Sequence, residues 1–364
     1  MKTLMVAVVA IAASMVAFAD TVTFTWKGGD GNWSDPAMWT ASDGSTDRYP
    51  NAATDYAVFS PGEKAVITVT ENVSPYDVRF APANADLCFK GDPDVLPLIK
   101  LNDANTEEQG TNHNWKLTFD GVKCTWGASV YTGQSLLPRH NCVLTMKNKS
   151  YVSLKKLSFG GYKETPTSGY TTPTNFVIAV ESGSTFLVGS CMTTGLGTRF
   201  IVDNATVDAR GGSLYSANNC QYFSYGNSKF LMRNSFFVNQ PATLNLSLPE
   251  EPYADELVKL TDNASKDYTD PYVTINILPD SPALKTSVAS DRVYRIFNWA
   301  GTKKGYVFGI DPKCITWKFN GKALKPYMKI VSSYMTPELE EAHGNPQYID
   351  FVLGPKPGMM LLLR

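Results

Sequence analysis

The sequence predicts an all-β chain folded as a right-handed parallel β-helix (a solenoid), with an aromatic N-terminal cap and very little helix. Most of the chain alternates apolar and polar residues over short runs, which is the period of strands with one buried face. A turn-containing unit recurs at irregular intervals, as it does when variable loops are inserted between stacked coils. Helical periodicity is nearly absent.

Residues 1–19 have the pattern of a signal peptide. Lys2 is followed by an uncharged, largely apolar run that ends in Ala-Phe-Ala at positions 17–19, the small-x-small pattern of a signal-peptidase site. We therefore expect a mature start at Asp20 and an exported protein. The alternative is an uncleaved membrane anchor, which needs about 20 apolar residues. No later segment is apolar and long enough to span a bilayer.

Residues 20–60 are the expected N-terminal cap. The stretch TWKGGDGNWSDPAMW places three large aromatics among glycines and short polar residues, namely Trp26, Trp33 and Trp39. A solenoid exposes its terminal coil, and bulky side chains with tight turns cover such an end. We expect the tryptophans to form this cover. The alternative is a ligand platform. Its polar partners would be Asp30, Asn32 and Asp35.

Residues 61–290 are the expected coils. The repeating unit is an apolar residue, a short turn rich in Asn, Gly and Ser, and another apolar residue. Its five copies are Phe119–Cys124, Met146–Tyr151, Val180–Phe186, Val202–Val207 and Met232–Phe237. Asn148, Asn204 and Asn234 can adopt left-handed backbone at a sharp corner, although Asn also suits ordinary turns. The competing fold, an antiparallel sandwich, predicts two-residue hairpins, and few are present.

Residues 291–364 are the expected closing strands and tail. The chain ends in YIDFVLGPKPGMMLLLR, which predicts a strand, a turn and a last apolar strand; a sorting signal is the alternative. One helix is expected in TPELEEAHG, residues 336–344, because Thr and Pro begin it, acidic residues follow, and Gly ends it. A second helix is conceivable in EEPYADELVKL, residues 250–260.

The N-terminal half resembles a known family. TWKGGDGNWSDPAMW, the Asp-x-Ala-x-Phe strand at 55–59, and CFKGD resemble the entry segment of bacterial secreted β-helix proteins of the autotransporter-passenger type, which carry autotransporter-associated β-strand repeats. The resemblance covers residues 25–92 well and the coils to about 238 loosely. Met38 departs from the pattern, which has Asn there, and the C-terminus lacks the strands of a membrane barrel. The resemblance implies a secreted or surface-bound bacterial solenoid.

Composition excludes some classes of function. The net charge of -1 and the absence of a basic stripe argue against nucleic acid as a partner. The six cysteines, at 88, 124, 142, 191, 220 and 314, show no metal-ligand spacing. We expect most of them to be small buried residues, with one or two disulfides permitted by export.

Catalytic motifs are scarce. Three histidines occur outside any metal or nucleophile context. The best constellation for cleaving a polysaccharide is VDNATVDARGG, with Asp203, Asp208 and Arg210 in one coil. These residues also suit turns and solvated surface, and we expect no catalytic residue and no metal. Calcium could sit in one acidic loop, whose ligands would be Asp262, Asp267 and Asp270, but the spacing is not that of an EF-hand.

Aromatic residues favour a binding function. They make up 12% of the chain, and tyrosines recur in loop-like segments. The candidate ligand-binding residues are Tyr162, Tyr170, Tyr215, Tyr222 and Tyr225. We expect a non-enzymatic, adhesin-like or structural protein whose partners are glycans or other surface proteins. The alternative is a polysaccharide-active β-helix enzyme, a lyase or hydrolase, or a carbohydrate-binding module.

Overall fold

A computed structural model describes most of the chain after the predicted signal peptide. Its described residues are 21–60, 62–80, 85–101, 116–131, 142–158, 176–189, 192–194, 197–211, 214–216, 220–232, 242–260, 273–286, 290–299, 315–333 and 348–356. The signal peptide, the helix expected at 336–344, the turn at Asn234, the acidic loop at 262–270 and the last apolar strand of the tail lie outside the described residues.

Strands make up nearly all of the regular structure. The first are β1 (Val22–Trp26), β2 (Gly31–Asn32), β3 (Trp39–Ala41), β4 (Asp55–Phe59), β5 (Lys64–Thr68), β6 (Asp77–Phe80), β7 (Asp86–Lys90), β8 (Leu98–Leu101), β9 (Lys116–Asp120), β10 (Lys123–Tyr131), β11 (Val143–Lys147), β12 (Tyr151–Ser158), β13 (Val177–Glu181) and β14 (Thr185–Val188). The others are β15 (Met192–Thr194), β16 (Arg199–Asp203), β17 (Thr206–Ala209), β18 (Leu214–Ser216), β19 (Gln221–Tyr225), β20 (Lys229–Met232), β21 (Ala242–Leu246), β22 (Val258–Leu260), β23 (Val273–Ile277), β24 (Arg292–Trp299), β25 (Ile315–Phe319), β26 (Met328–Ser333) and β27 (Tyr348–Leu353).

These strands form three sheets. The long sheet has eleven strands in the order β2-β5-β7-β9-β11-β13-β16-β19-β21-β23-β25, every neighbouring pair parallel. The entry sheet has the order β3-β1-β4-β6. The forked sheet has twelve strands along the path β18-β15-β12-β14-β17-β20-β22-β24-β27-β26, with β10 beside β12 and β8 beside β10.

The chain passes repeatedly from the forked sheet to the long sheet and back. Each of β12, β14, β17, β20, β22 and β24 lies parallel to the one before it, and a strand of the long sheet comes between every two in sequence. This passage is the coil of a parallel β-helix, as predicted. The antiparallel sandwich is therefore wrong for the coils.

Apolar residues of successive coils stack in the core. In the long sheet a column of residues in register is almost fully buried: Leu87, Leu117, Leu144, Ile178 and Phe200. Alternate positions of these strands face outward, which explains the apolar-polar period of the sequence. Each such side chain contributes about 1.5–3 kcal/mol of transfer free energy when buried.

Left-handed residues mark the corners between the sheets. Asn148 and Asn204 have φ of 55° and 48°, so the left-handed backbone, one of the two possibilities for these residues, is the one that they adopt. Of the repeat copy placed at Met232–Phe237, only Met232, the last residue of β20, lies within the described residues. A left-handed corner also occurs earlier in the same coil, at Gly226, where φ is 58°.

The forked sheet divides into two branches in the middle coils. The first half of β12 pairs with β14, whereas Leu157 and Ser158 pair with β15. β15 in turn pairs with β18. A shift in register between Trp126 and Ser129 divides β10 in a similar way. These coils therefore have three strands rather than two.

Antiparallel strands lie at both ends of the stack. β3 is antiparallel to β1, with Trp39 opposite Trp26. At the other end, β24 and β25 still pair in parallel with the preceding coil. β27 then pairs antiparallel with β24, and β26 pairs antiparallel with β27.

Helix is limited to two short segments within the described residues. A 3-10 turn spans Pro36–Met38, and the helix α1 spans Pro282–Lys285. The helix considered at residues 250–260 does not form. The backbone there runs into β22, and the Leu257 N–H donates to the carbonyl of Arg295 at 3.0 Å, so pairing with β24 replaces helical bonds.

Three of the cysteines behave as small buried residues. Cys124, Cys142 and Cys220 are buried, as expected, and Cys88 is half-buried. Cys191 and Cys314 lie outside the described residues. Among the helices of the described part, none is long and apolar enough to cross a membrane.

Candidate functional site

The three N-terminal tryptophans form one buried cluster. Trp26, Trp33 and Trp39 are 2%, 0% and 3% exposed. Ring centroids lie 4.9 Å apart for Trp26 and Trp39 and 5.0 Å for Trp33 and Trp39, in edge-to-face contact, which is favourable for aromatic pairs. Because β3 and β2 are the outermost strands of the entry and long sheets, the cluster lies at the N-terminal end of the core.

The three indole N–H groups and the three polar side chains considered for a platform all have internal partners. The indole N–H groups of Trp26, Trp33 and Trp39 donate to the carbonyls of Gly29, Pro50 and Trp33, at 3.0, 3.0 and 2.8 Å. The polar partners considered for a platform, Asp30, Asn32 and Asp35, accept bonds from the backbone N–H groups of Val66, Ser34 and Ala37. The geometry therefore favours a cap over a ligand platform.

The candidate catalytic residues do not converge. Asp203 ends β16 in the long sheet, whereas Asp208 lies in β17 of the forked sheet, beyond the corner at Asn204. Asp208 is almost buried and pairs with Arg210 through two bonds, of 3.0 Å to Nε and 2.6 Å to Nη2. The ion pair raises the pKa of Arg210. Both carboxylate oxygens of Asp208 are therefore bonded to Arg210, and neither is free to act on a substrate.

The candidate tyrosines differ in their burial and in how much of them the structure describes. Tyr162 and Tyr170 lie outside the described residues, and for Tyr215 only its place in β18 is described. Tyr222 is wrong as a ligand-binding residue, because it is 1% exposed. The alternation of β19 turns it into the core, where its ring stacks on that of Phe200 with 5.7 Å between the centroids. Tyr225 is half-buried at the end of β19, on the outward side of the sheet.

Tyr225 belongs to a group of aromatic and charged side chains on the outer surface of the long sheet. We call Arg199, Phe223 and Tyr225 the aromatic face. The rings of Phe223 and Tyr225 are parallel within 3°, with centroids 6.4 Å apart. The guanidinium of Arg199 lies over the Phe223 ring, 5.3 Å from its centroid. These contacts hold both rings in place, so their conformational freedom is already reduced.

The environment of Tyr225 is acidic. Burial raises the pKa of its hydroxyl, and the carboxylates of Asp280 and Asp203 raise it further, while Arg199 acts in the opposite direction. Asp203 is the direct register neighbour of Tyr225 on β16. The hydroxyl therefore stays protonated at neutral pH and can donate a hydrogen bond.

An amide ladder continues the same surface toward the C-terminal end. Asn245 and Asn276 are register neighbours on β21 and β23, and the Asn276 side chain donates to that of Asn245 at 2.9 Å. The Oδ1 atom of Asn276 accepts from the N–H of Gly321. These amides are used internally and stiffen the sheet beside the aromatic face.

Sequence reasoning missed Phe223 and Arg199. The run QYFSY at 221–225 has three aromatics within one strand, and strand alternation puts two of them on the same side. Which side faces the core depends on where the corner lies. Assigning that corner to Gly226 would have placed Tyr222 inside and Phe223 outside.

A groove lies elsewhere at the corner of the early coils. It has a volume of about 440 Å³ and is lined by residues that include Thr68, Lys90, Asp92, Val95 and Pro97. None of its described lining residues is aromatic. Among the described residues no three His, Cys, Asp or Glu side chains are grouped as metal ligands.

Comparison of the chain with protein-family models, with curated proteins and with solved structures finds no match.

Proposed function

We propose that this chain is an exported, non-enzymatic β-helix protein that binds glycans through the aromatic face, in an adhesin-like role at a bacterial cell surface. The observation that carries the proposal is the pair of parallel rings of Phe223 and Tyr225, half-buried on a rigid sheet and flanked by hydrogen-bonding groups. Aromatic rings of this kind stack on the apolar faces of sugar rings, and polar neighbours orient the hydroxyl groups.

Export and surface location have separate support. They rest on the apolar leader at residues 3–19 and on the resemblance of residues 25–92 to passenger-type β-helix proteins. A solenoid gives such a protein a long, regular lateral surface, on which one coil can carry a binding group.

A glycan array with purified protein tests the binding. We expect wild type to bind, and Phe223→Ala and Tyr225→Ala each to weaken binding about tenfold or more, since stacking on one ring is worth roughly 1–3 kcal/mol. Tyr76→Ala is the matched control, because Tyr76 is 48% exposed and its ring lies 5.3 Å from that of Tyr56 in the entry sheet, away from the aromatic face. Its binding should equal that of wild type.

Two results would overturn the proposal. Equal glycan binding by wild type, Phe223→Ala and Tyr225→Ala would remove the aromatic face from it. Cleavage of a polymer by the wild type, lost in Asp208→Ala, would replace binding with the polysaccharide-cleaving alternative. Circular dichroism of each variant confirms that the fold is retained.

A further inference from the structure

Negative charge that has no ion-pair partner among the described residues lies beside the aromatic face. Asp203 is the register neighbour of Tyr225, and Glu181 is the register neighbour of Asp203 one strand further. Neighbouring strands lie about 4.8 Å apart, so Asp203 is beside the tyrosine and Glu181 is about twice as far away across the sheet. Asp280 approaches from the coil after next and acts on the Tyr225 hydroxyl. Two carboxylates, those of Asp203 and Asp280, therefore act on Tyr225, and Glu181 lies one strand further out on the same sheet.

Other carboxylates on the same outer surface are neutralised. Asp86 pairs with Lys116 at 3.4 Å, and Asp120 pairs with Lys147 at 3.2 Å. In contrast, Asp203 accepts a bond from the Asn204 amide at 2.8 Å, which carries no charge.

Glu181 and Asp280 have no ion pair among the residues that the structure describes. Arg199, the nearby cation, lies over the ring of Phe223. Within the described residues, the charged groups that act on the Tyr225 hydroxyl are one cation, Arg199, and two carboxylates, those of Asp280 and Asp203.

This combination has a definite ligand preference. Aromatic faces and carboxylates both attract cations, and both disfavour an anionic sugar. The carboxylates are spread around the rings and are not grouped as metal ligands within the described residues, so a metal ion does not explain the charge. A sugar polymer with protonated amino groups satisfies both features, because its ring stacks and its ammonium groups meet the carboxylates.

We propose that the glycan bound at the aromatic face is one that carries free amino groups, of the glucosamine class, rather than a neutral or uronate polymer. This inference rests on the proposed glycan-binding function and specifies its ligand. Asp203 and Asp280 are the residues that select the amino group, while Phe223 and Tyr225 supply affinity for any sugar ring.

Calorimetric titration with three oligosaccharides of equal length tests the inference: β-1,4-linked glucosamine, its N-acetylated form and galacturonate. We expect glucosamine to bind about tenfold more tightly than the N-acetylated form, and galacturonate most weakly. Asp203→Asn and Asp280→Asn should each weaken glucosamine binding about threefold to fivefold, and leave N-acetylated binding unchanged. Asp86→Asn, on the same sheet but ion-paired with Lys116, is the matched control and should leave both unchanged.

The outcomes separate this inference from the proposed function. If the N-acetylated or galacturonate oligomer binds as tightly as glucosamine, and binding still depends on Phe223 and Tyr225, the amino-sugar preference is wrong and the glycan site stands. If no oligomer depends on those two rings, both fail. Added salt provides a second readout, because it should weaken glucosamine binding and spare the neutral oligomer.

Discussion

The side-chain amide of Asn204 fills the space that a Cβ atom on Gly226 would need. A Cβ built on Gly226 would overlap the amide group of Asn204, and the Oδ1 atom of Asn204 accepts a bond from the Asn227 N–H at 3.0 Å. Asn204 and Gly226 are both left-handed, with φ of 48° and 58°. The corners of two successive coils therefore interlock, because the side-chain amide of Asn204 packs into the space left by the missing side chain of Gly226.

Replacing Gly226 with alanine should destabilise the protein by about 2–4 kcal/mol, because the substitution adds steric overlap to a strained backbone. The measurement is urea-induced unfolding. Gly321→Ala is the matched control, since Gly321 is also left-handed, at 72°, but has no atom within 4 Å of a built Cβ. It should cost only about 1 kcal/mol. Equal losses for the two variants would show that the interlock with Asn204 contributes nothing.

Replacing Trp33 with alanine should cost about 3–5 kcal/mol, because the ring is fully buried against Trp39 and its removal leaves a cavity. The loss should appear in the free energy of unfolding and leave glycan affinity of the folded protein unchanged. Phe223→Ala should show the reverse pattern. A Trp33→Ala protein of normal stability that no longer binds glycans would favour the ligand platform over the cap.

Asp55 anchors the loop that covers the tryptophan cluster. Its carboxylate is fully buried and accepts bonds from Arg48 at 3.2 Å and from the N–H groups of Asn51 and Ala52. Asp55→Asn removes the charge that Arg48 faces and puts an amide donor beside N–H donors, so we expect a loss of about 2–4 kcal/mol in thermal or urea unfolding.

Asp43→Asn is the control for that substitution, because Asp43 also contacts Arg48 but is solvated, with 39% of its side chain exposed. It should leave stability essentially unchanged, because solvent screens the contact of Asp43 with Arg48. An Asp55→Asn protein as stable as the control would mean that the loop is held by other contacts.

The coils could be predicted because each one repeats the same physical requirement. A strand with one buried face must alternate, and a sharp corner needs Asn or Gly, so Asn148 and Asn204 were identifiable from the sequence. The buried role of Trp33 followed from the need to close an exposed end.

The aromatic face could not be predicted to the same degree. Whether Tyr222 or Phe223 points outward depends on the register of one strand, and a shift of a single residue exchanges the two faces. The charges around Tyr225 come from residues as distant in sequence as Asp280, and only the stacking of coils brings them together. Local pattern carries no information about such contacts.

Titration of Tyr225 tests the electrostatic description of the site. The pKa of Tyr225 is raised from its ordinary value of 10.0, first by burial and then by Asp280 and Asp203. Subtracting the ultraviolet titration of Tyr225→Phe from that of wild type isolates this hydroxyl, and we expect it to ionise above pH 10. Asp280→Asn should bring the pKa partly back toward the ordinary value, because burial remains.

The raised pKa of Tyr225 also makes stability depend on pH. The contribution of a tyrosine with a raised pKa is complete below about pH 10 and is lost as the pH rises through the folded-state value. Tyr225→Phe should therefore lose less stability than wild type between neutral and strongly alkaline pH. A Tyr225 pKa that does not respond to Asp280→Asn would separate that carboxylate from the aromatic face and contradict its role in selecting an amino sugar.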